Sequence, residues 1–497
     1  MGSEAIEAWV VSAKSMSGDG WAVHCFKAYD IRGLAYSELD EAFAHRLGRT
    51  LATFLDCGAL AVGRDIRESS PALHTAFIAG LMESGCDVHD IGINTTGALY
   101  HATDNLDVGG GVMITASHNP PEYNGFKMCR GTAAMAGDEI QELRAAFEAG
   151  EFRNTTDGDD GERHRGQHIV LTDFTDAYIE AVAAAASPIQ RPVHVVIDAA
   201  NAVPGPFIER IRARMDGHGA ALFCEWDNTF PNHSPDPTII ENMQHLAAAV
   251  VETGAEFGVG IDGDGDRVGV VDEQGRFIYP DRVLAVIAAD ILANLPADSS
   301  AEARSVIYDV KCSMALEQTI RNNGGIPQMM RTGHSFLKQA LREKPETPMA
   351  GEMSGHFFFN DRWNGFDDSL YALARLMELV ARRLPNGEPF SSLFDDIPTF
   401  ASTGEAKVPL LTGREETMAA VKAAFSDLPR STVDGVRIRY DGYEGIEAGW
   451  FLCRPSNTES ILVMRCEADS EEALKTIRDD VDQRIGSIID LTMFHAA

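Results

Sequence analysis

Short apolar runs alternate along the chain with helix-length stretches of amphipathic spacing, and polar, glycine-rich turns separate them. That pattern predicts an α/β protein built on largely parallel sheets. Phe26 to Gly33 reads as a strand-like start closed by a glycine, Ala72 to Ser84 as a helix, and Gly109-Gly-Gly-Val-Met-Ile114 as a short buried strand. The alternation continues to about Gly161, where Asn154-Thr-Thr-Asp-Gly-Asp-Asp-Gly161 forms either a domain linker or an exposed hairpin loop. A second α/β unit opens at Val193 to Asn201 and ends at Phe257 to Asp272. A third begins at Val306 to Ser313 and closes with a helix from Asp367 to Leu384, ahead of a boundary at Pro385-Asn-Gly-Glu-Pro389. The last unit has another order: a helix from Arg414 to Phe425, strands through Val436 to Tyr440 and Ile461 to Arg465, and a terminal helix from Glu471. No internal repeat is visible in the sequence.

Composition narrows the class. A chain of 497 residues has room for about three or four domains at roughly 150 residues each. It is 44% hydrophobic and 24% charged, with no low-complexity tract. No apolar run is long enough to span a bilayer without charge, and the acidic start Met1-Gly-Ser-Glu lacks a signal-peptide core. The eight cysteines are scattered, without a Cys-x-x-Cys pair. A reduced, cytoplasmic protein is expected. The net charge of −33 argues against nucleic acid and membrane surfaces as partners. An anionic substrate is still admissible, because exposed charges are screened beyond about 8 Å while a lysine touching phosphate in a cleft is not. Lysines number nine, and four of them (Lys27, Lys127, Lys311, Lys338) fall in or beside the loops that carry candidate chemistry. Oligomeric state is left open.

The strand ending at Ile114 runs into Thr115-Ala-Ser-His-Asn-Pro-Pro-Glu-Tyr-Asn-Gly-Phe-Lys127. Ser117 thus stands where a parallel strand gives way to a loop, the usual place for chemistry in open α/β sheets. Pro120 and Pro121 stiffen the turn, and Asn124-Gly125 re-aims the chain so that Lys127 returns towards the serine. His118 and Lys127 are local candidates for accepting a proton and stabilising charge. A hydrolase triad is set aside, because Ser117 lacks the Gly-x-Ser-x-Gly elbow. In Ile261-Asp-Gly-Asp-Gly-Asp-Arg267, three carboxylates alternate with small residues, so Asp262, Asp264 and Asp266 can converge on a hard cation such as Mg²⁺. An EF-hand is excluded by Arg267 at the required glycine and by strand-like flanks. Further on, Glu352 and Ser354 sit two apart and would face the same way in an extended segment. His334 and His356 can titrate near neutrality. Arg454-Pro-Ser-Asn-Thr-Glu-Ser460 offers an arginine, small polar side chains and free N–H groups, a cradle for a phosphate dianion.

These four stretches, in this order, resemble the motifs of the α-D-phosphohexomutases, closest within that family to the bacterial phosphomannomutase/phosphoglucomutase group. The resemblance covers essentially the whole chain. It implies three related mixed α/β domains plus a smaller α+β C-terminal domain around a central cleft, with expected boundaries 1–165, 166–275, 276–392 and 393–497. It implies that Ser117 is carried as phosphoserine and that Ser117, Asp262, Asp264 and Asp266 share one Mg²⁺. Arg32 and Arg267 would face phosphate, with Tyr29 beside Arg32. Lys311, His334, Glu352, Ser354 and His356 would contact the sugar ligand, and Arg454, Ser456, Asn457 and Thr458 its phosphate. Lys127, His118 and His356 remain open as acid/base groups. The implied reaction interconverts hexose 6-phosphate and hexose 1-phosphate through a hexose 1,6-bisphosphate, with mannose and glucose phosphates as partners. Met353 and Asn457 speak for that sugar group over a phosphoglucosamine mutase, and no motif is lost, which speaks against a non-catalytic sugar-phosphate-binding paralogue.

Overall fold

The computed structural model of the chain describes residues 20–153, 165–186, 188–410, 413–456 and 460–496. The acidic start, the polar stretch from Asn154 to Gly161, and Asn457 and Thr458 lie outside the described residues. The chain divides into two compact units. The first takes the chain up to Pro280, with Lys338–Glu343 and Ser354–Ser392; the second takes Asp281–Leu337, Lys344–Met353 and the chain from Leu393 on.

The first unit holds two α/β sheets. One contains β1 (Ile31–Leu34), β2 (Ala59–Arg64), β3 (Asp87–Ile93), β4 (Gly110–Ile114), β5 (Tyr123–Arg130), β6 (Ala133–Ala134) and β7 (His168–Val170), in the order β1-β5-β4-β2-β3-β7 with β6 on β5. Strands β2, β3, β4 and β7 are parallel, and β5 turns back antiparallel between β4 and β1. The other contains β8 (Val193–Asp198), β9 (Gly217–His218), β10 (Ala221–Leu222), β11 (Phe257–Ile261), β12 (Val268–Asp272) and β13 (Phe277–Ile278), in the order β10-β8-β11-β12-β13 with β9 on β8. Here β8, β10 and β11 are parallel and β12 returns antiparallel to β11. Every residue of β4, β11 and β12 is buried, as suits strands covered on both faces.

In the second unit, β14 (Ser305–Asp309), β15 (Ile326–Met330) and β16 (Met349–Gly351) are parallel, with β14 in the middle. After β16 the chain runs through 352–356 to β17 (Phe357–Phe359), which belongs to the first unit. The last sheet is antiparallel: β18 (Ala401–Ser402), β19 (Ala406–Pro409), β20 (Arg430–Ser431), β21 (Val436–Arg439), β22 (Gly449–Pro455) and β23 (Ile461–Ala468), in the order β18-β23-β22-β21-β20 with β19 on β23. Val421, Phe425, Phe451 and Ile477 form part of the core between this sheet and its helices Arg414–Ala424 and Glu471–Ile485.

One corner recurs. The serine loop joins β4 to β5 and the aspartate loop joins β11 to β12, so each leaves the C-terminal end of a parallel strand and returns antiparallel. The 352–356 loop likewise leaves the C-terminal end of a parallel strand, β16. That end of an open α/β sheet is where ligands bind.

Some boundaries differ from the sequence reading. The strand expected from Phe26 begins only at Ile31, and a 3₁₀ turn occupies Val23–Cys25. The helix expected at Ala72 starts at Ser70, with Pro71 in its first turn where a missing N–H costs no hydrogen bond. The helix expected from Asp367 to Leu384 is Ser369–Arg383, because Asp368 is spent as its cap and accepts from the N–H groups of Leu370 and Tyr371.

Candidate active site

Ser117 is buried and adopts φ +50°, the left-handed region that costs a serine energy and turns the chain sharply after β4. Its own N–H donates to Thr115 Oγ1 at 2.9 Å. The loop is held from inside by Arg67, a side chain 1% exposed. Arg67 donates to the carbonyls of Ser117 and Asn119, both at 2.7 Å, of Pro120 at 2.6 Å and of Tyr123 at 3.1 Å. Asp65 fixes Arg67 in turn, accepting from its N–H at 3.0 Å and its Nε at 3.1 Å. Arg32, on β1, braces the same loop by donating to Asn119 Oδ1 at 2.6 Å and the Ala116 carbonyl at 3.2 Å, while Asp30 takes its other terminal nitrogen. Its buried Nε has no hydrogen-bond partner among the described residues. Tyr29 is half-buried two residues before β1.

Ser117 Oγ donates to Asp262 Oδ2 at 2.9 Å, which brings the serine loop and the aspartate loop together. Gly263 makes the approach possible, since a Cβ there would stand 2.2 Å from the Ser117 carbonyl oxygen. Asp262 Oδ1 accepts from the N–H groups of Asp266 and Arg267, closing the loop on itself. Carboxylate oxygens of Asp262, Asp264 and Asp266 lie within 4.8 Å of one another, all buried. Lys127 reaches in from β5, with Nζ 2.6 Å from Asp264 Oδ2 and in contact with Asp266 Oδ2. Arg267 places Nη2 3.4 Å from Ser117 Oγ and donates to His118 Nδ1, while its Nε is 3.3 Å from Asp262 Oδ2. His356 Nε2 is 3.4 Å from Asp266 Oδ1, and its Nδ1 is 2.9 Å from Ser354 Oγ.

The electrostatics are unbalanced. Burial, with Asp266 and Asp264 alongside, pushes the Asp262 carboxyl well above its ordinary value. Burial acts on Asp266 the same way, but Lys127 and His356 outweigh it and hold that carboxyl well below. Burial alone would draw Lys127 down; the three aspartates reverse this and fix it as an ammonium. Desolvation and then Arg267 pull His118 below the usual histidine range, although 38% of its side chain is exposed. Asp264 Oδ1 is buried without a hydrogen-bond partner among the described residues, while Asp266 Oδ1 faces His356. Crowded anions, an orphaned oxygen and a donor set of oxygens alone fit a hard divalent cation.

The second unit holds the other predicted contacts. Lys311, buried just after β14, pairs with Glu405 at 3.0 Å. Burial would lower it, but Glu405 and Asp309 raise it. Glu352 accepts from the Gly333 N–H at 2.6 Å, beside His334 at the start of its helix. The extended geometry expected across Glu352 and Ser354 is not adopted: the chain turns at Met353–Gly355, with Gly355 at φ +86°, and Ser354 belongs to the first unit. Arg454, at the end of β22, donates through Nε to Asp434 Oδ2 at 2.7 Å. Its buried Nη2 has no partner among the described residues. Ser456 is buried, and its carbonyl accepts from Arg414.

Compared with known proteins, the chain matches four descriptions in order: phosphoglucomutase/phosphomannomutase alpha/beta/alpha domain I over residues 24–154, domain II over 176–275, domain III over 279–400, and the C-terminal domain over 407–484. The chain belongs to the phosphoglucomutase/phosphomannomutase family. It is 41% identical to a phosphoglucomutase of Neisseria gonorrhoeae, over 91% of this chain and 95% of that one. It is 38% identical to a phosphomannomutase/phosphoglucomutase of Pseudomonas aeruginosa, over 91% and 93%. Among solved structures, a phosphoglucomutase/phosphomannomutase family protein of Burkholderia thailandensis is 37% identical with a TM-score of 0.84, covering 94% of this chain and 98% of that one.

Two residues that the motif reading left aside stand out in this phosphoglucomutase/phosphomannomutase site. Arg67, in the turn after β2, holds four carbonyls of the serine loop. Asp236, in the stretch between β10 and β11, lies 3.6 Å from Arg267 and 4.0 Å from His118. Burial would raise Asp236, but the Arg267 guanidinium outweighs it and holds the carboxyl at about 2. Among the described residues no helix is long and apolar enough to cross a membrane, and the eight cysteines form no disulfide.

Proposed function

We propose that the chain interconverts hexose 6-phosphates and hexose 1-phosphates of mannose and glucose, with Ser117 carried as phosphoserine. The observation that carries this reading is the Ser117 Oγ to Asp262 Oδ2 hydrogen bond of 2.9 Å in a buried corner shared with Lys127 and Arg267. In the first half-reaction the bond from phosphorus to Ser117 Oγ breaks and one to a sugar hydroxyl forms, giving a hexose 1,6-bisphosphate. The hydroxyl proton passes to a base. Return of the other phosphoryl group to Ser117, after the sugar has turned over, completes the exchange. Mg²⁺ held by Asp262, Asp264, Asp266 and the serine's phosphate would neutralise charge on the phosphoryl oxygens. Lys127 and Arg267 add fixed positive charge. Of the acid/base groups left open, Lys127 is held as an ammonium beside the three aspartates and would give a proton there, and His118 and His356 are the two imidazoles placed to exchange one. Arg32, through its spare Nε, and Tyr29 would meet phosphate.

For the sugar we assign Glu352, Ser354, His356, Lys311 and His334. For the phosphate that is not reacting we assign Arg454, Ser456, Asn457 and Thr458, since one phosphoserine reaching O1 and O6 alternately needs the other phosphate held away from it. The spare Nη2 of Arg454 supports that assignment. We place the domain boundaries at 165/166, 275/276 and 392/393, and the protein in the cytoplasm, as its free thiols suit. The test is turnover of mannose, glucose and glucosamine 1-phosphates with Mg²⁺ and a trace of hexose 1,6-bisphosphate. Mannose and glucose phosphates should react well and glucosamine phosphate poorly. Preference for glucosamine would correct the sugar; no turnover of any would refute the reading.

A further inference from the structure

Arg267 has three carboxylates within reach, and two of them, Asp262 and Asp266, are candidate cation ligands. The third, Asp236, is outside that set and outside every motif read from the sequence. It comes from a stretch that wraps the aspartate loop. The Pro235 carbonyl accepts from the Gly263 N–H at 3.2 Å, and a Cβ on Gly269 would stand 2.3 Å from the Pro237 carbonyl oxygen. The carboxylate itself is pinned: Oδ1 accepts from the Thr238 N–H at 3.0 Å and the Thr238 hydroxyl at 2.7 Å, and Asn242 Nδ2 donates to the Asp236 carbonyl at 2.8 Å. From that fixed place it faces Arg267 Nη1 through Oδ1 and His118 Nε2 through Oδ2. Both partners touch Ser117 Oγ.

We propose that Asp236 is a positioning residue that holds the Arg267 guanidinium and the His118 ring against Ser117 Oγ. This rests on the phosphoserine reading above. A guanidinium gripped only by oxygens that are also cation ligands would be drawn aside as those oxygens are engaged; Asp236 gives it an anchor that does not compete. Groups that fix a reacting constellation from behind are worth about 10–100-fold in activity.

The experiment compares Asp236→Asn, Asp236→Glu, Arg267→Lys and the Asp236→Asn/Arg267→Lys double variant, with a crystal structure of Asp236→Asn. Asp236→Asn should lower kcat by about 10–100-fold, with a smaller change in KM and little change in melting temperature. Asp236→Glu should recover part of the loss. The double variant should lose less than the product of the two single losses, since part of the effect of Asp236 passes through that arginine. In the crystal the Arg267 guanidinium should leave Ser117 Oγ by more than about 0.5 Å. An unmoved guanidinium, or losses that multiply in the double variant, would overturn the proposal. A wild-type protein without mutase activity would instead refute the function, and the position of Arg267 would still decide the role of Asp236.

Discussion

The aspartate loop of the first unit and the Arg454 corner of the second are both buried and charged, but their spare valence has opposite sign. At the aspartate loop the buried side-chain atom without a hydrogen-bond partner among the described residues is a carboxylate oxygen, Oδ1 of Asp264. At the Arg454 corner it is a guanidinium nitrogen, Nη2. The first region has anions crowded enough to push Asp262 well above its normal range, and the second a cation tied by one carboxylate, Asp434. The first arrangement suits a cation and the second an anion. If each place is held for such a ligand, as proposed above, substitutions should separate stability from function differently in each.

The largest effect should come from Asp264→Asn. It removes one of three clustered charges and leaves Lys127 its contact with Asp266, so the metal-free protein should melt close to wild type, while the gain in melting temperature from added Mg²⁺ disappears and kcat falls at least about a hundredfold. Calorimetric melts with and without Mg²⁺, alongside steady-state rates, check this; a variant that is much less stable without metal, or that still responds to it, would break the contrast. Arg454→Ala should behave in the opposite way. It leaves Asp434 buried without its partner, so stability drops, by about 3–5 kcal/mol for a broken buried pair. The lost charged contact, about 1.5–3 kcal/mol, should cost roughly tenfold or more in kcat/KM for 1-phosphate and 6-phosphate sugars alike. A defect confined to one direction of the reaction would refute a shared anion site.

Arg67→Met sharpens the point from the scaffold side. Four loop carbonyls and Asp65 lose their partner at once. The variant should lose several degrees of melting temperature and much of its kcat together, unlike Asp264→Asn. Retention of wild-type kcat in the folded fraction would show that the loop holds its shape without Arg67. The smallest effect concerns Asp368, lifted to about 6 by burial against the hydroxyl of Tyr178 and the two N–H groups it caps. A carboxyl raised in the folded state adds stability that is fully present below its unfolded value, about 3.9, and is lost as pH rises through about 6. The melting advantage of wild type over Asp368→Asn should therefore shrink between about pH 4 and pH 6.5; a difference that stays flat, or grows, would contradict the sign.

How much of this was legible in the sequence follows from where each interaction lies along the chain. Ser117, Asp262, Asp264 and Asp266 could be found because their loops are short, local and chemically unusual, and the fourfold order of motifs fixed the family. The recurring corner that carries the loops was not visible as a repeat: Ile114-Thr-Ala-Ser, Ile261-Asp-Gly-Asp and Gly351-Glu-Met-Ser share a place in the topology and almost no residues. What Arg67 and Asp236 hold could not be read from the sequence, because their roles arise between residues distant along the chain; nothing local marks an arginine that binds carbonyls some fifty positions on. The Glu352 and Ser354 geometry was misjudged because alternation assumes an extended chain, and Gly355 allows a turn there instead.

The central claim is that Ser117 is the phosphoryl carrier. It is tested most directly by treating the protein with hexose 1,6-bisphosphate and Mg²⁺, mapping the phosphopeptide by mass spectrometry, and chasing with excess hexose monophosphate. The account predicts one phosphoryl group, on Ser117, discharged to the sugar at least as fast as turnover and absent from an inactive Ser117→Ala variant. Phosphate found reproducibly on another residue, with Ser117→Ala still fully active, would contradict it.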